Sequence, residues 1–292
     1  MRRRSFLAAL AAAALPAPAR AARERFTRGL LWRVTRPGSP PSHVYGTIHD
    51  ADPRLAALPA PVGAVLREAK CLMLEFLPSA YTAERFLEAA LFDDGRTLEG
   101  AIGAEDFARA VEMLAPIGLP REVLNRLKPW GALINLRSPR SAGGETLDAR
   151  LIAAARARRL PVFQIEGVEE QIFTFDECPM DTQVALLRHA LHHRDELLAL
   201  QARTLDAYLA GDLAGIARLR AEAAARHPEI APHQAVMDKR VLYDRSVVMA
   251  YRMQRELRRG GALVALGALH LYGAKGVLAL LEQDGYRAAR VL

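Results

Sequence analysis

From residue 30 onward the chain alternates two hydrophobic patterns: short, almost wholly apolar runs, and longer stretches with apolar residues every third or fourth position. The first pattern predicts buried strands and the second amphipathic helices. Residues 30–49, "LLWRVTRPGSPPSHVYGTIH", read as strand, turn and strand, with the turn signals at Pro37-Gly38 and Pro40-Pro41. "LPAPVGAVLREAK" (58–70) opens on prolines and then carries Val62, Val65, Leu66 and Ala69 on one helical face. "CLMLEF" (71–76) follows at once as a strand buried on both sides, and the strand–helix–strand order predicts a parallel pairing. Residues 80–137 keep helical spacing throughout, 138–144 read as a loop, and 145–160 as a helix leading to the short strand "PVFQIEG" (161–167). Helical periodicity returns from about 180 to 258, broken near Ala210-Gly211 and at "RHPEIAPH" (226–233). The end, 262–292, reads as strand, helix, strand. The fold class expected is α/β: a central mixed sheet built from the N- and C-terminal segments, with a largely helical middle lobe.

The first 21 residues obey neither pattern. "MRRRSFLAALAAAALPAPARA" has a basic start, an apolar stretch from Phe6 to Leu15 and a small-residue end, the layout of an export signal. Its "RRSFL" resembles a twin-arginine signal. The expected organisation is a signal at 1–21 and a single domain at 22–292 with helical insertions at about 80–160 and 180–258. The expected location is periplasmic or secreted. The apolar stretch is short for a bilayer span, and no other run is long enough, so no stable membrane span is expected after cleavage. The signal carries Arg2, Arg3, Arg4 and Arg20, so its removal takes the formal charge from +7 to 7 − 4 = +3. That weak surplus gives no support for a nucleic-acid partner. The basic runs 156–159 and 255–259 read as solvated helix faces. Cys71 and Cys178 are the two cysteines. An oxidising compartment permits a bridge between them, and two unpaired thiols fit equally well. No Cys-x-x-Cys occurs.

Four predicted strands end near a titratable residue: His49 after "VYGTI", Glu75 after "CLML", Glu166 after "PVFQI" and His270 after "ALVALGAL". Ligands of open α/β sheets bind beyond the carboxyl ends of the strands. Two imidazoles and two carboxylates gathered there suit a divalent metal, and equally a general acid and base. Any one of them alone reads as a satisfied polar residue at the sheet margin. Glu75 is the most telling, because it interrupts a run with no other reason to hold a carboxylate. Both histidines follow a glycine by three residues, Gly46 and Gly267. Such a glycine lets another backbone or a ligand approach closely. Asp50 and Asp52 either fix His49 or form a polar loop. His189 and His193 stand four apart beside His192, but no glutamate follows His189, so these read as a polar helix face rather than a metalloprotease helix. A Gly-x-Ser-x-Gly elbow and a phosphate-binding glycine loop are both missing.

Residues 43–76, with Gly-Thr-x-His, a spacer, Leu-Pro, a helix and a strand ending in glutamate, resemble the opening motif of the TraB/GumN family, the group that includes the Tiki proteins. Residues 262–292 resemble its closing motif, Gly-x-x-His-Leu, then a glycine, a helix and Gly-Tyr. "TLDARLIAAARARRLPVFQIEGVEEQI" is similar to its middle segment of Asp, helix, strand, Glu and Gln. The resemblance implies a metal-dependent, hydrolase-like fold; Tiki proteins are metal-dependent proteases, and related folds include erythromycin esterases and a haem-binding lipoprotein group. Carried onto this chain, it implies metal ligation by His49, Glu75 and His270, and catalytic roles for Glu75, Glu166 and Arg245. The family usually follows that arginine with asparagine, where this chain has Ser246. The cofactor expected is a divalent metal ion, with Mn, Co and Zn as candidates, and the partner a peptide or small-molecule substrate. The function expected is that of an exported, peptidase-like hydrolase. The alternative is a non-catalytic periplasmic protein that binds a ligand, a metal or haem in the same cleft, or one that keeps the cleft only as scaffold.

Overall fold

A computed structural model describes residues 25–137 and 144–292. The export-signal reading of residues 1–21, and all of the 138–144 loop but its last residue, lie outside the described residues.

The apolar runs become strands: β1 (Leu31–Arg36), β2 (Ser39–Thr47), β3 (Cys71–Leu74), β4 (Val162–Gln164), β5 (Ala262–Gly267) and β6 (Arg287–Arg290). They form one sheet in the order β4-β3-β5-β2-β1-β6. β4, β3, β5 and β2 are parallel, while β1 runs antiparallel to both β2 and β6. The mixed sheet drawn from both chain ends is therefore present. β3 is buried at every position and β5 at all but its last, as central strands covered on both faces must be.

Three details differ from the expectation. β2 and β3 are parallel but not neighbours, because β5 lies between them and pairs with both. β4 is an edge strand with Phe163 42% exposed, rather than a buried one. Pro40 and Pro41 lie inside β2 rather than in the turn. They precede the stretch that pairs with β5 from His43 onward, where a missing N–H breaks no ladder bond.

Two apolar cores support this arrangement. The first surrounds the sheet and takes Val62 and Leu66, one turn apart on the helix Ala60–Glu68, together with Leu147 and Leu151 of the helix Leu147–Ala157. Leu205, Tyr208 and Ile216 join it from the helices Arg194–Leu209 and Leu213–Arg226. The second lies within the helical lobe, where Phe107, Ala110 and Leu114 of the helix Ala104–Leu114 meet Trp130, Leu186 and Leu187. Each large side chain fully buried in this way contributes about 1.5–3 kcal/mol. The middle of the chain is thus divided: part forms its own core and part packs on the sheet. Cys71 belongs to the first core and Cys178 to the second, and both are free thiols. Burial raises the pKa of each. Among the described residues no helix is long and apolar enough to cross a membrane.

Candidate functional site

The four parallel strands point their carboxyl ends the same way, so the residues that follow them come to one edge. Glu75 directly follows β3, Glu166 lies two residues past β4, His49 two past β2, and His270 three past β5, in the 3-10 turn Ala268–Leu271. The two glycines have separate jobs. A Cβ on Gly46 would come within 2.9 Å of Leu271 Cδ1 and 3.0 Å of Ala268 Cα, so its bareness lets the turn bearing His270 settle against β2. At Gly267 the backbone N–H donates to Glu75 Oε1, and a Cβ would sit 3.3 Å from that oxygen.

Arg245 joins the strand ends from across the cluster. A π-helical turn over Lys239–Asp244 leads into the helix Arg245–Arg252 and sets the phase at which Arg245 and Ser246 enter the site. Arg245 Nη2 donates to Glu75 Oε2 at 2.6 Å and to Glu166 Oε2 at 2.7 Å, and Nε donates to Glu166 Oε1 at 3.2 Å. Gln171 Nε2 donates to Glu166 Oε2 at 2.8 Å. Ser246 Oγ lies 2.9 Å from His270 Nδ1, and His270 Nε2 lies 3.8 Å from Glu75 Oε1. Glu75, Glu166, Ser246 and His270 are all buried.

His49 stands apart from this buried group. Its ring is 68% exposed, and Nδ1 lies 3.2 Å from Asp148 Oδ2. Asp148 is held in turn by Thr47 Oγ1, which donates to Oδ1 at 3.2 Å. Asp50 and Asp52 do not fix His49. Asp50 Oδ1 accepts from the Asp52 N–H and Asp52 Oδ1 from the Arg54 N–H, so they shape the loop after β2.

The electrostatics follow from burial and pairing. Burial alone would raise the Glu75 pKa; His270, Arg245, His49 and the Gly267 amide outweigh it and bring it down to about 2. Burial dominates at His270 and lowers its pKa to about 4, against the pull of Glu75, so the ring is neutral at pH 7. With that ring neutral, Arg245, His49 and the Gly267 amide are what keep Glu75 ionised. The two carboxylates raise the Arg245 pKa despite its burial. Contact with Asp148 raises the His49 pKa, while solvent around the open ring screens part of that pairing.

Two carboxylates against one guanidinium leave a net negative charge where little water enters. Arg245 takes Glu75 Oε2 and leaves Oε1 facing His270 Nε2, with Ser246 holding the far side of that ring. The donor types and the 3.8 Å separation are those of two ligands sharing one divalent cation, with a hydroxyl orienting the histidine from behind. The residues present therefore suit a metal.

A cleft of about 430 Å³ opens between the segments that follow β2 and β5 and the helices of the middle of the chain. His49, Asp50 and Leu269 line it from those segments, and Leu197, Gln201 and Arg220 line it from the helices. Of the sequence-predicted residues, His49 lines the cleft, whereas Glu75, Glu166, Arg245 and His270 do not.

The profile of the TraB/PrgY/gumN family matches residues 30–290. The chain belongs to that family. It is similar to the uncharacterized protein YbaP of Shigella flexneri, 25% identical over 250 residues that cover 82% of this chain and 87% of that protein. It is likewise similar to the uncharacterized protein YbaP of Escherichia coli (strain K12), 24% identical over the same shares. No solved structure matches the chain. The TraB/PrgY/gumN match takes in both Gly-x-x-His runs, both glutamates and Arg245. Asp148 and Gln171 both lie in the middle motif, and nothing in their spacing alone marks them as partners of His49 and Glu166. The roles of these two appear only when His49 and Glu166 are seen beside them. Ser246 occupies the asparagine position and supplies a hydrogen bond to His270.

Proposed function

We propose that this TraB/PrgY/gumN protein is an exported metal-dependent hydrolase of peptidase type, working in the periplasm or outside the cell. The observation that carries the reading is the pairing of His270 with Glu75 at the carboxyl ends of adjacent parallel strands, with His49 at the end of the next strand beside the cleft; as a ligand His49 would turn from Asp148 toward them. In this reading His49, Glu75 and His270 hold a divalent ion of the Mn, Co or Zn class. Such an ion, when bound, polarises a carbonyl and makes a bound water acidic enough to attack near neutral pH. Ser246 orients His270 through its ring nitrogen. Arg245 holds Glu75 by one oxygen and keeps the other turned toward His270. Glu166, whose oxygens are engaged by Arg245 and Gln171, acts by positioning Arg245 rather than by moving a proton itself. About half of the cleft lining is leucine, isoleucine and alanine, with Arg137, Arg194 and Arg220 among the rest, which suits a peptide or small molecule with an apolar body and an anionic end.

Elemental analysis of tag-free mature protein, purified without chelator, tests the metal. The His49→Ala/His270→Ala variant should carry one equivalent less than the wild type and lose amide or ester hydrolysis across a peptide and ester panel. Equal metal content in the two proteins would sink the reading. A second reading, capture of a ligand, metal or haem without turnover, draws support from the burial of Glu75, Glu166 and His270. Stoichiometric capture with no hydrolysis of any panel member would favour it.

A further inference from the structure

The helical lobe carries a second group of imidazoles that the proposed hydrolytic site does not use. His189 lies in the last turn of the helix Met180–His192, His193 at the junction with the helix Arg194–Leu209, and His227 just past the helix Leu213–Arg226. One helix end and the junction that follows it thus bring two rings, and the end of a third helix brings the last, to a common point. The ring centroids are 4.6 Å apart for His189–His193, 4.6 Å for His189–His227 and 4.3 Å for His193–His227. Each ring offers one nitrogen that lies within 4.8 Å of those of the other two. All three residues are half-buried.

One carboxylate organises two of these rings. Glu196 Oε1 lies 3.0 Å from His193 Nδ1, and Glu196 Oε2 lies 2.9 Å from His227 Nε2. A carboxylate that accepts from one ring nitrogen orients the opposite nitrogen, as in histidines that bind metals; at His227 that opposite nitrogen, Nδ1, lies 3.6 Å from Glu229 Oε1. Among the described residues His189 has no such carboxylate hydrogen-bonded to its ring, and it stacks on His193. His189 also lines the same cleft as His49.

We propose that His189, His193 and His227 form a second metal site, in the cleft wall, for an imidazole-preferring divalent transition ion such as Zn²⁺ or Co²⁺. Three imidazoles with a carboxylate behind two of them match the donor set such ions select. Nitrogens bound to one ion at about 2.0–2.1 Å must lie close together, and one nitrogen from each of the three rings lies within 4.8 Å of the others. Because His189 lines the cleft, an ion held by the three rings would border it. The ion would also tie the end of the helix Leu213–Arg226 to the junction of the two preceding helices.

The test is a titration of tag-free protein with Co²⁺, followed by visible absorbance, and then displacement by Zn²⁺. Wild type is compared with the His189→Asn/His227→Asn variant and with Glu196→Gln, each checked for native circular dichroism. The wild type should bind one equivalent more than the double variant, and Zn²⁺ should raise its melting temperature more. Glu196→Gln, a change at an exposed residue, should keep the stoichiometry and weaken binding at this site about 10–100-fold. Loss of this equivalent leaves the one assigned to His49 and His270 in place, so the two sites fail or stand separately. Equal stoichiometry and equal affinity in wild type and the double variant would overturn the proposal, as would Glu196→Gln binding as tightly as wild type.

Discussion

Arg245 is the residue on which the strand-end cluster depends. Its guanidinium meets two buried carboxylates, and only 11% of its side chain is exposed. Arg245→Met would leave both glutamates buried without their partner, and removing one member of such a group costs about 3–5 kcal/mol. Urea unfolding should record a loss of that size, and Arg245→Lys should recover only part of it, because an ammonium cannot reproduce the forked contact to Glu75 and Glu166. Near-wild-type stability of Arg245→Met would mean that the carboxylates are protonated or solvated in the folded protein. Ser246 poses a smaller question of the same kind. Ser246→Ala leaves His270 Nδ1 buried with its hydroxyl partner removed and should cost about 1–3 kcal/mol. Ser246→Asn, which restores the usual family residue, should retain more stability than alanine if an amide can reach the same nitrogen.

At the level of strands and turns, the sequence was most readable where burial is most complete. β3 and β5 announce themselves as unbroken apolar runs because central parallel strands leave no face for polar residues. Their neighbours are not readable in the same way, since an apolar run does not encode which other run it pairs with. That is why β5 comes unannounced between β2 and β3. The π-helical turn at Lys239–Asp244 left no periodicity to detect, yet it sets where Arg245 and Ser246 arrive. The four strand-end residues were legible as candidates, and the contacts of His49 with Asp148 and of His270 with Ser246 were not, because those partners are 99 and 24 positions away and meet only in the folded chain; Gln171, five residues past Glu166, is local, but which oxygen it engages depends on Arg245. The glycine pair can be tested as structure. Gly46→Ala drives a Cβ to 2.9 Å from Leu271 Cδ1 and against the Ala268 backbone, and overpacking of that kind costs about 1–3 kcal/mol. Gly267→Ala meets a carboxylate oxygen at 3.3 Å, a milder conflict, so thermal melts should rank Gly46→Ala as the more damaging. The reverse ranking would count against close packing of the Ala268–Leu271 turn on β2.

Across the whole molecule, these groups give stability a definite pH dependence, and the two limbs can be assigned separately. Glu75 has its folded pKa brought down to about 2, so its contribution is present above the unfolded carboxylate value and is lost as pH falls toward 2. His270 and His189 are held neutral, each with a pKa of about 4. Between about 6.5 and 4 the unfolded chain takes up protons that these two folded imidazoles refuse, so stability again falls with falling pH. His49 has the opposite sign. Asp148 raises its pKa, so the folded state holds a proton that the unfolded state gives up above about 6.5, and stability declines as pH rises through the folded value. A urea-unfolding series from pH 4 to pH 9 on metal-free protein should therefore give a maximum near neutrality. His49→Asn should flatten the alkaline limb and leave the acid limb in place. His189→Asn should reduce the acid limb between pH 6.5 and 4 without touching the alkaline one. An alkaline limb that is unchanged in His49→Asn would show that the Asp148 contact is too well solvated to hold a proton on His49.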